Sequence, residues 1–358
     1  RLAIEMFEQG NIKGVINVLN EEDMASEAKQ AELEIARGRQ LVQSGNDLIE
    51  KGIQTIQAQV EDHILRVKAL MLDFDNADRF SLACNAYERA VELTRNHLSQ
   101  AELADRLNDY YCFLYDNNQF SKCEACIEEC VSIRAELCRE HPETYEPALA
   151  DSYNNLANLY RVTQRFHESE AMYKSALAIR ERLAKANPQA YESALADSYN
   201  NLANLYNDTQ RYDDSETMHK SAIAIRERLA KANPQAYEPD LARSYNNLAI
   251  LYSDTQRFHE SEAMCKSALT IYERLAEEYP LRYGPALAQS YSILAILYYE
   301  TRRFAESEEM HKSALAIQGR LAEKYSYGSD LANSYNSLAV LYSDTLRYQE
   351  SEAMYNSA

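Results

Sequence analysis

The segment Leu149-Ala-Asp-Ser-Tyr-Asn-Asn-Leu-Ala-Asn-Leu-Tyr160 returns unchanged at Leu195–Tyr206. It returns with substitutions at Leu241–Tyr252, Leu287–Tyr298 and Leu331–Tyr342, in steps of 46 residues and a last step of 44. A weaker copy starts at Leu103. A period of this length constrains the fold more than any other feature. One unit is too small to bury an apolar face by itself, so successive units must stack and share one continuous core.

Each unit divides into two helices. In the clearest copy the first runs from about Leu149 to Val162, with Tyr153, Leu156, Ala157 and Tyr160 at i, i+3, i+4, i+7, which makes one buried stripe. A polar turn, Thr163-Gln164-Arg165, follows. The second helix carries Phe166, Ser169, Tyr173, Ala176 and Ile179 on its inner side and runs on to Asn187-Pro188. Pro142, Pro188, Pro234 and Pro280 share one place in the unit, and Pro147, Pro239 and Pro285 share another. Both places are expected to lie between the second helix of one unit and the first helix of the next, where a proline breaks no hydrogen-bond ladder. Tyr145, Tyr191, Tyr237, Tyr283 and Tyr327 recur in the same junction and read as wedges between neighbouring units.

The set Tyr153, Leu156, Ala157, Tyr160, Phe166, Ser169, Tyr173 and Ala176 resembles positions 4, 7, 8, 11, 17, 20, 24 and 27 of the tetratricopeptide repeat. Tyr199, Leu202, Ala203, Tyr206, Tyr212, Ser215, His219 and Ala222 repeat the match, and Val67, Leu70, Met71, Phe74, Phe80, Ala83, Tyr87 and Ala90 extend it backwards. The unit is longer than the family's 34 residues, with a second helix about two turns longer. That length and the Asn-Asn-Leu-Ala text look like the kinesin light chain subclass. The resemblance implies an all-α, right-handed superhelix of paired helices, with seven pairs whose units start near 59, 103, 149, 195, 241, 287 and 331. A helical half-repeat is expected over 1–21, carried by Ala3, Met6, Ile12, Val15 and Leu19 around the turn at Gly10-Asn11. The stretch 22–72 reads as one long helix or as a hairpin meeting near Gly45-Asn46. There Gly38, Gly45 and Gly52 are spaced by seven, which suggests either a face pressed against another helix or a hinge.

In similar proteins the concave groove is lined by positions 2, 5, 6, 9, 12 and 13 of each first helix. Carried over, one unit presents Asp151, Asn154, Asn155, Asn158 and Arg161. The next presents Asp197, Asn200, Asn201, Asn204, Asn207 and Asp208, and the third Arg243, Asn246, Asn247 and Asp254. Asparagine competes with its own backbone in helices, so a ladder of them needs a reason. A carboxamide donates and accepts at once and suits an extended peptide backbone. The competing reading is that these amides, above all Asn155, Asn201 and Asn247, bond to the neighbouring repeat. Later units replace the ladder by Ser292, Ile293 and Ile296, then Asn336, Ser337 and Val340, a more apolar surface that reads either as an apolar anchor pocket or as drift among repeats.

The formal charge of -19 argues against nucleic acid, whose phosphates need a clustered basic face, and disfavours an anionic membrane surface. A protein or peptide partner, possibly basic, is expected instead, and self-association is possible. Cys123, Cys126 and Cys130 have spacing that invites zinc, but all three fall on one helix, and Cys123 and Cys130 occupy the small-residue positions 20 and 27. His219 and His311 stand where the family has an aromatic and read as core. No phosphate loop, nucleophile elbow or metal pair is visible, so neither cofactor nor enzymatic activity is expected. Seven cysteines, an odd number, imply reduced thiols and a cytoplasmic location. A protein-binding scaffold is the first expectation, and the sensor or regulatory part of a larger enzyme or signalling effector the alternative.

Overall fold

The computed structural model describes residues 2–40, 46–322 and 328–357, and every regular element among them is an α-helix. The chain divides into two compact units, Arg1–Arg165 and Phe166–Ala358.

In the first unit α1 (Leu2–Glu8) and α2 (Ile12–Val18) form a short hairpin turned at Gly10, whose φ is 73°. Asn11 caps α2 by accepting from the Gly14 N–H at 3.0 Å. Ala3, Val15, Leu19 and Met24 pack this hairpin onto Ala69. The stretch 22–72 is a pair, α3 (Glu21–Gln40) and α4 (Asn46–Leu72), packed together. A side chain at Gly52 would collide with Ile35 at 2.6 Å, so this glycine marks a close helix–helix approach. Gly45 and Leu41 lie outside the described residues. α5 (Arg79–His97) packs on α4, then α6 (Gln100–Asp116) and α7 (Phe120–Glu140) form the next hairpin, and α8 (Pro142–Val162) closes the unit against α7.

The second unit begins with α9 (Phe166–Ala186), which packs on α10 (Pro188–Asp208). Hairpins follow: α10 with α11 (Tyr212–Ala232), α12 (Pro234–Asp254) with α13 (Phe258–Glu278), α14 (Pro280–Glu300) with α15 (Phe304–Ala322), and α16 (Gly328–Asp344) with α17 (Tyr348–Tyr355). Each hairpin closes on a pair of small residues. Ser215 donates to the Ala203 carbonyl at 2.8 Å, and Ser261, Ser307 and Ser351 do the same to Ala249, Ala295 and Ala339. The small side chains thus permit close approach and add a buried hydrogen bond.

One expectation is corrected. The first helices begin at Pro142, Pro188, Pro234 and Pro280, not near Leu149 and its counterparts. A proline at the first helical position has no hydrogen bond to lose, and Asn187 and Asn233 cap the helices just before it. Pro147, Pro239 and Pro285 therefore lie inside helices. α10 has Ser193 at the corresponding place and the same length of 21 residues, so the inner proline marks no boundary. On the inner face of the second helices Arg180 and Arg226 are buried beside the apolar stripe. Tyr283 is buried, Tyr237 packs on the neighbouring core, and Tyr327 lies outside the described residues.

The turns inside the hairpins use the left-handed conformation without glycine. In the second unit Gln210, Gln256, Arg302 and Leu346 have φ between 59° and 61°. At the first of these Gln210 N–H bonds to the Asn207 carbonyl and Arg211 N–H to that of Tyr206, a Schellman closure. A non-glycine residue there carries roughly 1 kcal/mol of strain. Gln210→Gly is expected to raise the stability of this unit by about 0.5–1 kcal/mol in urea denaturation. A loss of stability would contradict this reading of the turn.

Candidate functional site

The residues picked from the sequence separate by unit. In the first unit, α8 carries Asp151, which is exposed, and Asn154, Asn155, Asn158 and Arg161, which are half-buried. Asn155 donates to Asn108 on α6 at 2.9 Å and its carbonyl accepts from Tyr111 at 2.7 Å. This amide therefore ties α8 to α6.

In the second unit the amides do the same between α10, α12 and α14. Asn247 donates to Asn200 at 3.1 Å, Asn246 donates to Ser290 at 2.7 Å, and Asn207 donates to Asp254 at 2.9 Å. Asn200 and Asn246 are only 6% and 5% exposed. Asp197 accepts from Arg226 and lies 3.6 Å from Arg243, which also bonds Asp240 at 2.8 Å. Asn201 is half-buried. Asn204 is half-buried too, with no hydrogen bond from its amide among the described residues.

Position 9 is the row that stays open. Its members in this unit are Asn204, Ile250, Ile296 and Val340, one from each first helix. The three apolar ones are 39%, 49% and 43% exposed and stand at the same position of successive first helices. One turn further lies a row of exposed carboxylates, Asp208, Asp254, Glu300 and Asp344. The last three accept from the residue before the corresponding place on the preceding first helix: Asn207 to Asp254, Ser253 to Glu300 at 2.6 Å, and Tyr299 to Asp344. The sequence reading named Ile296 and Val340 on this apolar half, and Ile250 was not among its groove residues.

Behind this face lie two devices that the sequence reading missed. Arg180 and Arg226 reach from a second helix into the next first helix. Arg180 bonds the Ala194 carbonyl at 3.0 Å and Ser198 Oγ at 2.7 Å, and Arg226 bonds the Asp240 carbonyl, Ser244 Oγ and Asp197. The second device is a clamp at each hairpin turn. Arg211, Arg257, Arg303 and Arg347 lie 4.0–4.2 Å over Tyr206, Tyr252, Tyr298 and Tyr342. Each arginine also pairs with Glu170, Glu216, Glu262 or Glu308 of the preceding second helix, which accepts from the tyrosine hydroxyl as well. Burial pulls the Glu216 pKa up, but hydrogen bonds from Arg257, Lys220 and Tyr252 outweigh it and hold the carboxyl at about 2.

His219 and His311 lie in the core, and burial lowers the pKa of each to about 4. Cys123 and Cys130 are fully buried on α7, where Cys130 contacts the Ala104 carbonyl at 3.2 Å. Among the described residues no helix is long and apolar enough to cross a membrane.

One repeat departs from the pattern on its other side. Arg228 pairs with Glu192 and Arg274 with Glu238, but Gly284 takes the glutamate's place opposite Arg320. A cleft of about 1120 Å³ opens there among α13, α14 and α15, lined by Leu281, Gly284, Leu287, Ile317, Arg320 and Leu321 with others. A Cβ at Gly284 would meet Ile317 at 3.4 Å and Leu321 at 3.5 Å, ordinary contacts. Gly284→Glu is expected to stabilise the unit by about 1 kcal/mol, from helix propensity plus a partly exposed ion pair. Thermal melting checks this, and a lowered midpoint would contradict it.

Tetratricopeptide repeat models match residues 149–189, 194–274 and 240–320. These residues carry tetratricopeptide repeats. Repeats of this family are protein–protein interaction scaffolds, and no catalytic family is indicated. No curated protein matches the chain. Among solved structures it is similar to BtubC (BKLC) from P. vanneervenii, at 25% identity and a TM-score of 0.54, over 66% of this chain and 89% of that one. It is also similar to RapI, at 14% identity and 0.56, over 82% and 95%. A third is the STAND protein PH0952 from Pyrococcus horikoshii, which has a tetratricopeptide repeat sensor, at 11% identity and 0.56, over 96% and 50%. The last two likenesses concern the fold alone.

Proposed function

We propose that this tetratricopeptide protein holds an extended segment of a partner protein on the first-helix face of the unit Phe166–Ala358. The observation that carries the reading is the row of half-buried Asn204 and exposed Ile250, Ile296 and Val340, open while the amides around it are engaged between neighbouring repeats. Solvent-exposed aliphatic side chains aligned on successive helices lose contact with water when a partner covers them, which favours binding at about 25 cal/mol per Å². Asn204 offers a donor and an acceptor to a peptide backbone at one end of the row. On this reading Asn200, Asn246 and Asn247 set the spacing of the helices, and a cytoplasmic location with reduced thiols goes with it.

The test is selection of a random peptide display library on the whole chain. Enriched peptides should lose binding to the triple variant Ile250→Asp, Ile296→Asp, Val340→Asp, whose circular dichroism should match the parent because these side chains are exposed. Peptides that bind the variant equally well, or a selection that enriches nothing, would reject the reading.

A further inference from the structure

Resting on that reading, we infer that the partner segment is basic, with lysine or arginine interleaved among its apolar residues. Ile250, Ile296 and Val340 each stand one helical turn before an exposed carboxylate, Asp254, Glu300 and Asp344. The two rows run side by side across three first helices and make an amphipathic strip, apolar on one edge and anionic on the other.

The carboxylates are not neutralised from within. Asp254, Glu300 and Asp344 accept only from the neutral donors Asn207, Ser253 and Tyr299, and none of the three has an ion pair among the described residues. This contrasts with Glu216, Glu262 and Glu308 in the clamps, each paired with both an arginine and a lysine. Basic side chains are therefore spent at the hairpin turns, and the strip keeps its negative field. A second copy of this chain would bring a net charge of -19 to the same field and is the wrong partner electrostatically. A segment with cations next to apolar residues matches both rows and gains encounter rate from steering.

The experiment uses three synthetic peptides with the same apolar residues, interleaved with Lys, Gln or Glu, titrated into the whole chain by fluorescence anisotropy. The variant Asp254→Asn, Glu300→Gln, Asp344→Asn keeps the acceptor oxygens but removes the charge. The Lys peptide should bind about tenfold more tightly than the Gln peptide, exposed ion pairs being individually weak. It should lose about tenfold on the amide variant and weaken in high salt. The Glu peptide should not bind. Equal binding of the Lys and Gln peptides, or no loss on the amide variant, would overturn the basic-partner inference. The groove reading would still stand if both peptides then lost binding to the Ile250→Asp, Ile296→Asp, Val340→Asp variant, and would fall with it if neither did. A dimer in sedimentation that dissociates in that last variant would assign the strip to a second copy and overturn the inference.

Discussion

Arg226→Ala is expected to lower the stability of the unit Phe166–Ala358 by about 3 kcal/mol, more than any surface change in the same helix. The guanidinium is 2% exposed and bonds three groups on two first helices, Asp197 of α10 and Ser244 and the Asp240 carbonyl of α12. Burial pulls the arginine's pKa down, with Asp197 opposing, so its charge is held by partners rather than by water. Alanine removes the bonds and leaves a cavity under Ser244. Arg226→Met fills most of that volume without a charge to desolvate and should cost less. Stacked repeats unfold in segments, so hydrogen exchange of α12 is the sharper readout beside urea denaturation. Exchange in α12 that is unchanged in Arg226→Ala would contradict the role given to this residue.

Acid is expected to loosen the unit in two stages. His219 has a folded pKa of about 4 against an ordinary 6.5, because burial and the nearby Arg226 disfavour its charged form. Its contribution is complete above pH 6.5, where both states are neutral, and is lost as pH falls towards 4, because the unfolded chain takes up a proton the native core refuses. The order of this loss is about 3 kcal/mol. The clamp carboxyls Glu170, Glu216, Glu262 and Glu308 are held at about 2 against an ordinary 4.5. Their contribution is complete above pH 4.5 and is lost as pH falls through about 2. His219→Tyr places the residue found at the equivalent site, Tyr173, and should roughly halve the loss of stability between pH 6.5 and 4, the equally buried His311 supplying the rest, while leaving the lower stage. An unchanged slope in that window would rule out His219 as its source.

Much of this fold is written in the sequence because a helical stack is local. The stripe Tyr199, Leu202, Ala203, Tyr206 is buried or half-buried as its spacing demands. The helix starts were less legible. A proline reads as a boundary wherever it stands, yet Pro142 opens α8 and Pro147 sits within it. The buried Arg180 and Arg226 were hidden by a different cause: arginine reads as surface until its partners, Ser198 or Ser244 and Asp197, are placed beside it. The asparagine ladder was ambiguous in principle. An amide that suits a peptide backbone suits a neighbouring amide equally, and only geometry pairs Asn247 with Asn200 and Asn246 with Ser290. The exposed row was half legible, Ile296 and Val340 reading as an apolar end and Ile250 passing unnoticed, because the sequence marks a groove position without saying whether it is covered.

The face that binds is best located by methyl NMR of this 41.0 kDa chain, with isoleucine and valine labelled, during titration with a display-selected peptide. Shift changes should concentrate at Ile250, Ile296 and Val340. Changes concentrated instead at Ile271 and Ile317 on the second helices, with these three methyls unmoved, would contradict the assignment of partner binding to the first-helix face.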